Sequence, residues 1–290
     1  MKIDRLVIIG LGLIGGSLAL AARQRGICGQ VVGCGRDPAK LEPAIGLGIV
    51  DEVTGDWESA VQQADMVVVA SPVDAVEAVF TRIAGSIGPN TVVTDVGSTK
   101  GSVIAAAQRA FGQLPENFVP GHPIAGTEYS GFEHAEAELF VNHKVILTPH
   151  AGSSPTAVES VSALWQAVGS EVVQMDSTSH DQVLAATSHL PHMLVFALMK
   201  MVADREDHQA VFDFAAGGFR DFTRIASSDP KMWRAIALAN DKEVINLLTQ
   251  YQAQLGELVE KLSAGDGDYL QQLFTEAKLA RDTHLVKPDE

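Results

Sequence analysis

The chain has 290 residues, 46% apolar and 20% charged, a balance that supports a real core in one large domain or two ordinary ones. A formal net charge of −15 excludes binding to nucleic acid or an anionic membrane by bulk charge, so an acidic ligand must meet a few locally concentrated Arg and His side chains. With Cys28 and Cys34 as the two thiols, no CxxC pair, no apolar run of signal length at the start and no stretch approaching the roughly 20 apolar residues of a membrane span, the sequence reads as cytoplasmic.

In chain order, short β-branched runs at 6–9, 31–33, 66–70, 92–95, 118–120, 144–147 and 171–173 predict strands. Amphipathic segments between them, 15–25 and 99–111 for example, predict helices. Continuous apolar strands alternating with helices indicate an α/β fold whose parallel sheet is covered on both faces, a Rossmann-type domain over 1–175. After Asp176 the strands stop. Helices are expected at 179–204, 208–214, 230–262 and 267–281, the third opened by Asp229 as cap and Pro230 at the first helical position. Such helices must pack on one another and on a second copy of the chain. Residues 176–290 are therefore expected to form an all-α substrate and dimerisation domain, with the boundary near 175–178 and a homodimer as the assembly. The closing "HLVKPDE" is expected to fray.

The first chemical signal is "LVIIGLGLIGGSLA". Gly10, Gly12 and Gly15 stand in G-x-G-x-x-G spacing directly after a strand, and Leu13 and Ile14 lead into the helix. Glycine there permits a tight turn and close backbone approach, so a pyrophosphate can sit on the helix N-terminus. The second strand ends "VVGCGRDP", where an NAD site usually carries an acid for the ribose 2′-hydroxyl. Gly35 occupies that position, Arg36 follows and can pair with a 2′-phosphate, and Asp37 lies one step beyond. The expectation is NADP, with NAD as second choice through a one-residue slip that brings Asp37 into the acid's role. Ser71 and Pro72, after the 66–70 strand, form a turn suited to the nicotinamide half.

Four further segments are dense in polar groups: "TDVGSTKG" at 94–101, "GHPIAGTEYSG" at 121–131, "SHLPH" at 188–192 and "GGFRDFTRIASSDPKMW" at 217–233. The first two follow strands on the carboxyl edge of the sheet, where open α/β folds bind ligands. His122, read as ending the fifth strand and stiffened by Pro123, is the candidate base, since imidazole titrates nearest working pH. Arg224 is the candidate carboxylate clamp, because guanidinium geometry matches a carboxylate. His189 and His192, three residues apart, also suggest a metal, but Pro191 interrupts the pair and no third ligand is apparent, so none is expected.

Taken together, "HPIAGTE", "SHLPH" and "GGFRDFTRIA" resemble the prephenate/arogenate dehydrogenase family of tyrosine biosynthesis, over nearly the whole chain to about residue 250. The resemblance implies oxidative decarboxylation of a cyclohexadienol: hydride leaves C4, the 4-hydroxyl loses its proton and carbon dioxide departs. The product is 4-hydroxyphenylpyruvate from prephenate or tyrosine from arogenate. It implies His122 as general base, with Ser98 bonding the same hydroxyl or holding the His122 ring. His192 would contact a substrate carboxylate and His189 would orient it. Thr127 and Glu128 count with the substrate contacts, Glu128 forming a gate-like charged network with Arg220 and Asp221, and Trp233 either walls the pocket or sits in the core. Tyrosine would inhibit as a product look-alike. A β-hydroxyacid dehydrogenase, with Lys100 as its acid/base, and a non-catalytic NADP-binding regulator are the competing readings.

Overall fold

The computed structural model describes residues 3–285. Six strands form a parallel sheet: β1 (Ile3–Ile9), β2 (Cys28–Cys34), β3 (Glu52–Thr54), β4 (Met66–Val69), β5 (Val92–Asp95) and β6 (Phe118–Val119), in the order β3-β2-β1-β4-β5-β6. This is the dinucleotide-binding order, which reverses between β1 and β4 and opens a crevice at their carboxyl ends. Along β1, Leu6 and Ile8 enter one core layer and Val7 and Ile9 the other, so both faces are buried and the strand reads as an unbroken apolar run. The helices between the strands are α1 (Leu13–Gln24), α2 (Pro43–Gly46), α3 (Trp57–Gln62), α4 (Val76–Ile83) and α5 (Lys100–Phe111). Strand β3 escapes the sequence reading because three residues, "EVT", carry no apolar alternation.

The fifth expected strand does not carry His122. Pro120 has no N–H for the ladder, and the chain leaves the parallel sheet there. A second sheet begins, with β7 (Gly121–Pro123) antiparallel to β8 (Lys144–Leu147), which pairs in parallel with β9 (Glu171–Gln174), and α6 (Pro155–Ala167) precedes that last strand. The 144–147 and 171–173 runs are strands, as expected, and the 118–120 run is one up to Val119, but they are shared between two sheets. A buried ion pair ties these sheets together. Lys100 Nζ donates to Asp95 Oδ2 and to the Gly121 carbonyl, both at 2.5 Å. Asp95 Oδ1 accepts the Gly121 N–H at 3.2 Å, and neither charged side chain reaches solvent.

Beyond Gln174 the described residues are helical: α7 (Ser177–Leu184), a π turn (Ala185–His189), α8 (Leu190–Ala203), α9 (His208–Asp213), α10 (Gly217–Thr223), a 3₁₀ turn (Arg224–Ser227), α11 (Pro230–Ala239), α12 (Asp241–Ser263) and α13 (Gly267–His284). The 179–204 helix is thus re-registered at its centre, just before Pro191, which cannot donate a helical hydrogen bond. The expected 230–262 helix breaks at Asn240, whose amide turns inward to donate to the Asp181 carbonyl at 2.8 Å. The stretch Ser177–Ala203 is long and apolar enough by composition to cross a membrane, contrary to the sequence expectation. Its His180, Asp181 and His189 are nevertheless buried within the protein.

By its internal packing the chain falls into two compact units, Met1–Asp241 and Lys242–Glu290. The first unit runs well past the boundary expected near 175, since α7 packs on α5 and α11 on the turn at Val73–Ala75. In the second, Ile245, Leu255, Val259 and Leu262 of α12 and Phe274 and Leu279 of α13 are exposed. The tail expected to fray lies, from residue 286 on, outside the described residues.

Lys100→Met leaves the Asp95 carboxylate buried without its cation and is expected to cost about 3–5 kcal/mol of stability in urea unfolding. The double variant with Asp95→Asn should recover part of that loss. Native stability in the single variant would contradict the staple.

Candidate active site

The glycine turn is built for close backbone approach. Gly10 has φ +103°, its N–H donates to the Cys34 carbonyl at 2.9 Å, and a Cβ there would stand 2.6 Å from the Ala70 carbonyl oxygen. A Cβ on Gly15 would collide with the Gly10 carbonyl, so this helix can press against its strand only with glycine. Gly12, the N-cap of α1, faces open space, and the helix start has neither a side-chain cap nor an acidic residue in its first turn. Leu13 and Ile14 therefore present a bare helix N-terminus to an anion. The Ser71 hydroxyl reaches toward the Ile9 carbonyl at 3.4 Å, fixing the turn with Pro72 beside the glycines. A dinucleotide fits this cradle. Past β2, Gly35 is held by Trp57 Nε1, which donates to its carbonyl at 3.0 Å, while Arg36 and Asp37 are exposed. Asp37 is drawn toward Lys40 at 3.5 Å, and Arg36 lines the same shallow depression.

His122 lies in β7, beside the carboxyl end of β5 through its neighbour Gly121. Its ring is held at 9% exposure, and its Nδ1 is 2.9 Å from His180 Nε2. His180, fully buried on α7, has its Nδ1 2.8 Å from Asp181 Oδ1. Asp181 in turn accepts the backbone N–H groups of Lys100 and Gly101 at 2.7 and 2.8 Å, the first turn of α5. Burial raises the Asp181 carboxyl, but the hydrogen bond from His180, then those N–H bonds, more than offset it and hold the group below its usual range. Burial, with the neighbouring His180, Lys100 and His189, holds the His122 pKa well below 6.5, so its ring is neutral through the physiological range. A base titrating in the neutral range, as the sequence suggests, is not what this environment gives.

The helical side supplies the rest. His192 Nδ1 donates to the Ser188 carbonyl at 2.9 Å, and its ring stacks on Trp233 at 3.4 Å between centroids. Burial lowers the pKa of His192, which leaves its Nε2 unprotonated and makes it a poor carboxylate partner in the free protein. Trp233 is both core and wall, buried at 7% exposure and forming the face on which His192 lies. His189 does not hydrogen-bond His192: its Nδ1 accepts from the Asn240 amide at 3.2 Å, and burial pushes its pKa down to about 4. The charged network also differs from expectation. Glu128 pairs with Arg224 at 3.1 Å, not with Arg220, and both Arg220 and Asp221 are exposed on α10. With Arg224 61% and Glu128 29% exposed, this pair is worth about 0–1 kcal/mol and yields readily to a better anion. Thr127, in the same loop, accepts the Tyr129 N–H at 3.3 Å.

Ser98 sits half-buried in the turn before α5, but His180, not Ser98, holds the His122 ring. Sequence reasoning missed His180, Asp181 and Asn240. Lys100 does not fit the part of acid/base, because its ammonium is sealed against Asp95 and the Gly121 carbonyl.

Family profiles match the chain over two adjoining spans: "prephenate dehydrogenase, nucleotide-binding domain" over 18–174 and "prephenate dehydrogenase, dimerization domain" over 176–276. A cyclohexadienyl dehydrogenase of Zymomonas mobilis is 37% identical, the match covering 98% of each chain. A prephenate dehydrogenase from A. aeolicus, solved with hydroxyphenyl propionate and NAD+, superposes with a TM-score of 0.89 at 34% identity, over 97% of this chain and 98% of that one. Synechocystis arogenate dehydrogenase gives 0.81 at 29% identity, over 97% of this chain and 100% of that one.

The buried neutral rings make stability depend on pH. His189 binds its proton near 6.5 when unfolded but only near 4 when folded, so between these values the unfolded chain holds more protons and stability rises with pH. The urea midpoint is expected to fall as the pH drops from about 6.5 to about 4, less steeply in His189→Gln. A midpoint flat across that window would contradict the burial of these rings as neutral groups.

Proposed function

The chain belongs to the prephenate dehydrogenase family, and we propose that it acts by NAD(P)-dependent oxidative decarboxylation of prephenate, arogenate or both, with His122 as the base and Arg224 as the carboxylate clamp. The observation that carries the residue assignment is a buried neutral imidazole at the carboxyl edge of the sheet with one nitrogen occupied by His180; among the described residues nothing hydrogen-bonds the other. A nicotinamide dinucleotide bound at the glycine turn supplies the acceptor for the hydrogen and electron pair that leave ring C4. His122 Nε2 takes the hydroxyl proton as that carbon is oxidised. The bond from C1 to its carboxylate then breaks, its electron pair enters the ring, and carbon dioxide leaves. The proton returns from His122 to the same oxygen, so phenol and carbon dioxide balance the dienol with no net proton exchanged with solvent.

Arg224 exchanges its exposed Glu128 partner for the substrate acid, since a bidentate charged pair outweighs a mobile surface one. His192 stays neutral until a carboxylate arrives and makes its protonated form favourable. Ser98 binds the hydroxyl from the turn before α5, Thr127 and Glu128 border the substrate from the β7 loop, His189 and Trp233 back His192, and Asp221 belongs to the rim. Residues 1–175 hold the cofactor, and 176–290 complete the substrate site and form the homodimer. NADP is the preferred cofactor, supported by Gly35 where an acid would stand, by Arg36 and by the diversion of Asp37 toward Lys40. The setting is the cytosol, which the two free thiols suit. Tyrosine competes with substrate for this site; inhibition noncompetitive with substrate would contradict that.

A steady-state matrix of prephenate and arogenate against NAD and NADP, followed by absorbance at 340 nm, tests the reaction and the cofactor together. Activity with neither substrate would overturn the reading. Arg36→Ala should lower kcat/KM with NADP about 10- to 100-fold and leave the NAD value nearly unchanged. Equal losses with both cofactors would argue against a 2′-phosphate contact.

His122→Asn should lower kcat by about 10²- to 10⁴-fold with KM little changed. In the native enzyme kcat/KM should hold level through pH 6.5 and fall only well below it, as His122 gains its proton. A limb centred in the neutral range, surviving in His122→Asn, would assign the base elsewhere.

A further inference from the structure

We infer that His180 and Asp181 form a buried relay that fixes His122 as the tautomer with Nδ1 protonated and Nε2 bare, making them positioning residues for the base. The inference rests on the reading of His122 given above and extends it to two residues outside the segments that carry that reading.

Asp181 receives two backbone N–H groups at the start of α5, at 2.7 and 2.8 Å, which fixes it as an acceptor. An acceptor 2.8 Å from His180 Nδ1 requires that nitrogen to carry the proton. A neutral His180 with Nδ1–H has a bare Nε2, and that atom stands 2.9 Å from His122 Nδ1. Two bare nitrogens would repel, so His122 Nδ1 carries the hydrogen and donates it. The lone pair of the His122 ring is then on Nε2. Nothing else near the ring reverses this order. Asp95 is taken up by Lys100, Gly97 and Gly121, Lys100 by Asp95 and the Gly121 carbonyl; His189 Nδ1 accepts from Asn240, so its buried, unpartnered Nε2 carries the hydrogen and can only donate.

The relay also suits the proton balance of the reaction. When Nε2 takes the hydroxyl proton, the imidazolium keeps Nδ1–H on His180, whose far side is braced by the Asp181 carboxylate. The charge is held in place until the proton returns to the oxygen. His180 lies fully buried, and the relay acts by holding the proton and not by exporting it.

Histidine ¹⁵N NMR on the ligand-free native protein at neutral pH tests this directly, with the His122 signals assigned from their loss in His122→Gln. Protonated and bare ring nitrogens have well-separated shifts, and the expected result is Nδ1 protonated and Nε2 bare. Asp181→Leu removes the oxygen that the Lys100 N–H and His180 Nδ1–H share, so neither ring is held to one tautomer and His122 should show both. Its kcat should fall by about 10²- to 10⁴-fold with KM within about threefold, and the acid limb of the kcat profile should shift. A His122 protonated on Nε2 in the native protein overturns the relay, as does Asp181→Leu turning over within a few-fold of the native rate. Should that variant fail to fold, the native spectrum still decides. The two readings fail separately: a dead His122→Asn beside the wrong tautomer removes only the relay, and an active His122→Asn beside the right one removes only the base.

Discussion

Two carboxylates converge on the first turn of α5, and the placement of His122 depends on both. Asp95, at the end of β5, takes the Lys100 ammonium and the Gly121 amide; Asp181, from α7, takes the Lys100 and Gly101 amides. Lys100 is thus bonded through its side chain to one acid and through its backbone to the other. The first acid seats the backbone that carries His122, and the second braces the ring. Burying so much charge is costly, and replacing such a pair by apolar groups is often neutral or stabilising. Its retention here makes sense for position: it joins the parallel sheet, the second sheet and the helical segment at one point.

Function follows from what that arrangement leaves unpaired. The glycine turn exposes the N–H groups of a helix start, and the His122 ring has one nitrogen committed and one uncommitted. Arg224 stands in a weak surface pair that an anion can displace. Each is a group whose best partner is a ligand. Membership of the prephenate dehydrogenase family and these three features point to the same class of acidic dienol.

Much of this was legible in the sequence, and the reasons differ by element. Gly10, Gly12 and Gly15 could be read because spacing after a strand is a local signal. His122 could be read because "HPIAGTEYSG" has too little apolar content to be core. The sheet change at Pro120 was marked by proline but hidden by the strand formers Phe118 and Val119 before it. His180 and Asp181 were not legible. They lie in "STSHDQVL", which reads as an ordinary polar helix start, and only the packing of α7 on α5 turns those groups inward. Asn240 was masked for the same reason, as one amide in a long helical pattern. The pairing of Glu128 with Arg224 and not Arg220 depends on loop geometry that spacing does not encode.

The most direct test of the account is a crystal structure of the enzyme with oxidised cofactor and a phenolic product analogue. The prediction is that His122 Nε2 stands about 2.6–3.2 Å from the phenolic oxygen, with Nδ1 still on His180 and an analogue carboxylate on Arg224. A phenolic oxygen turned away from His122, or a His122 ring flipped off His180, would contradict it.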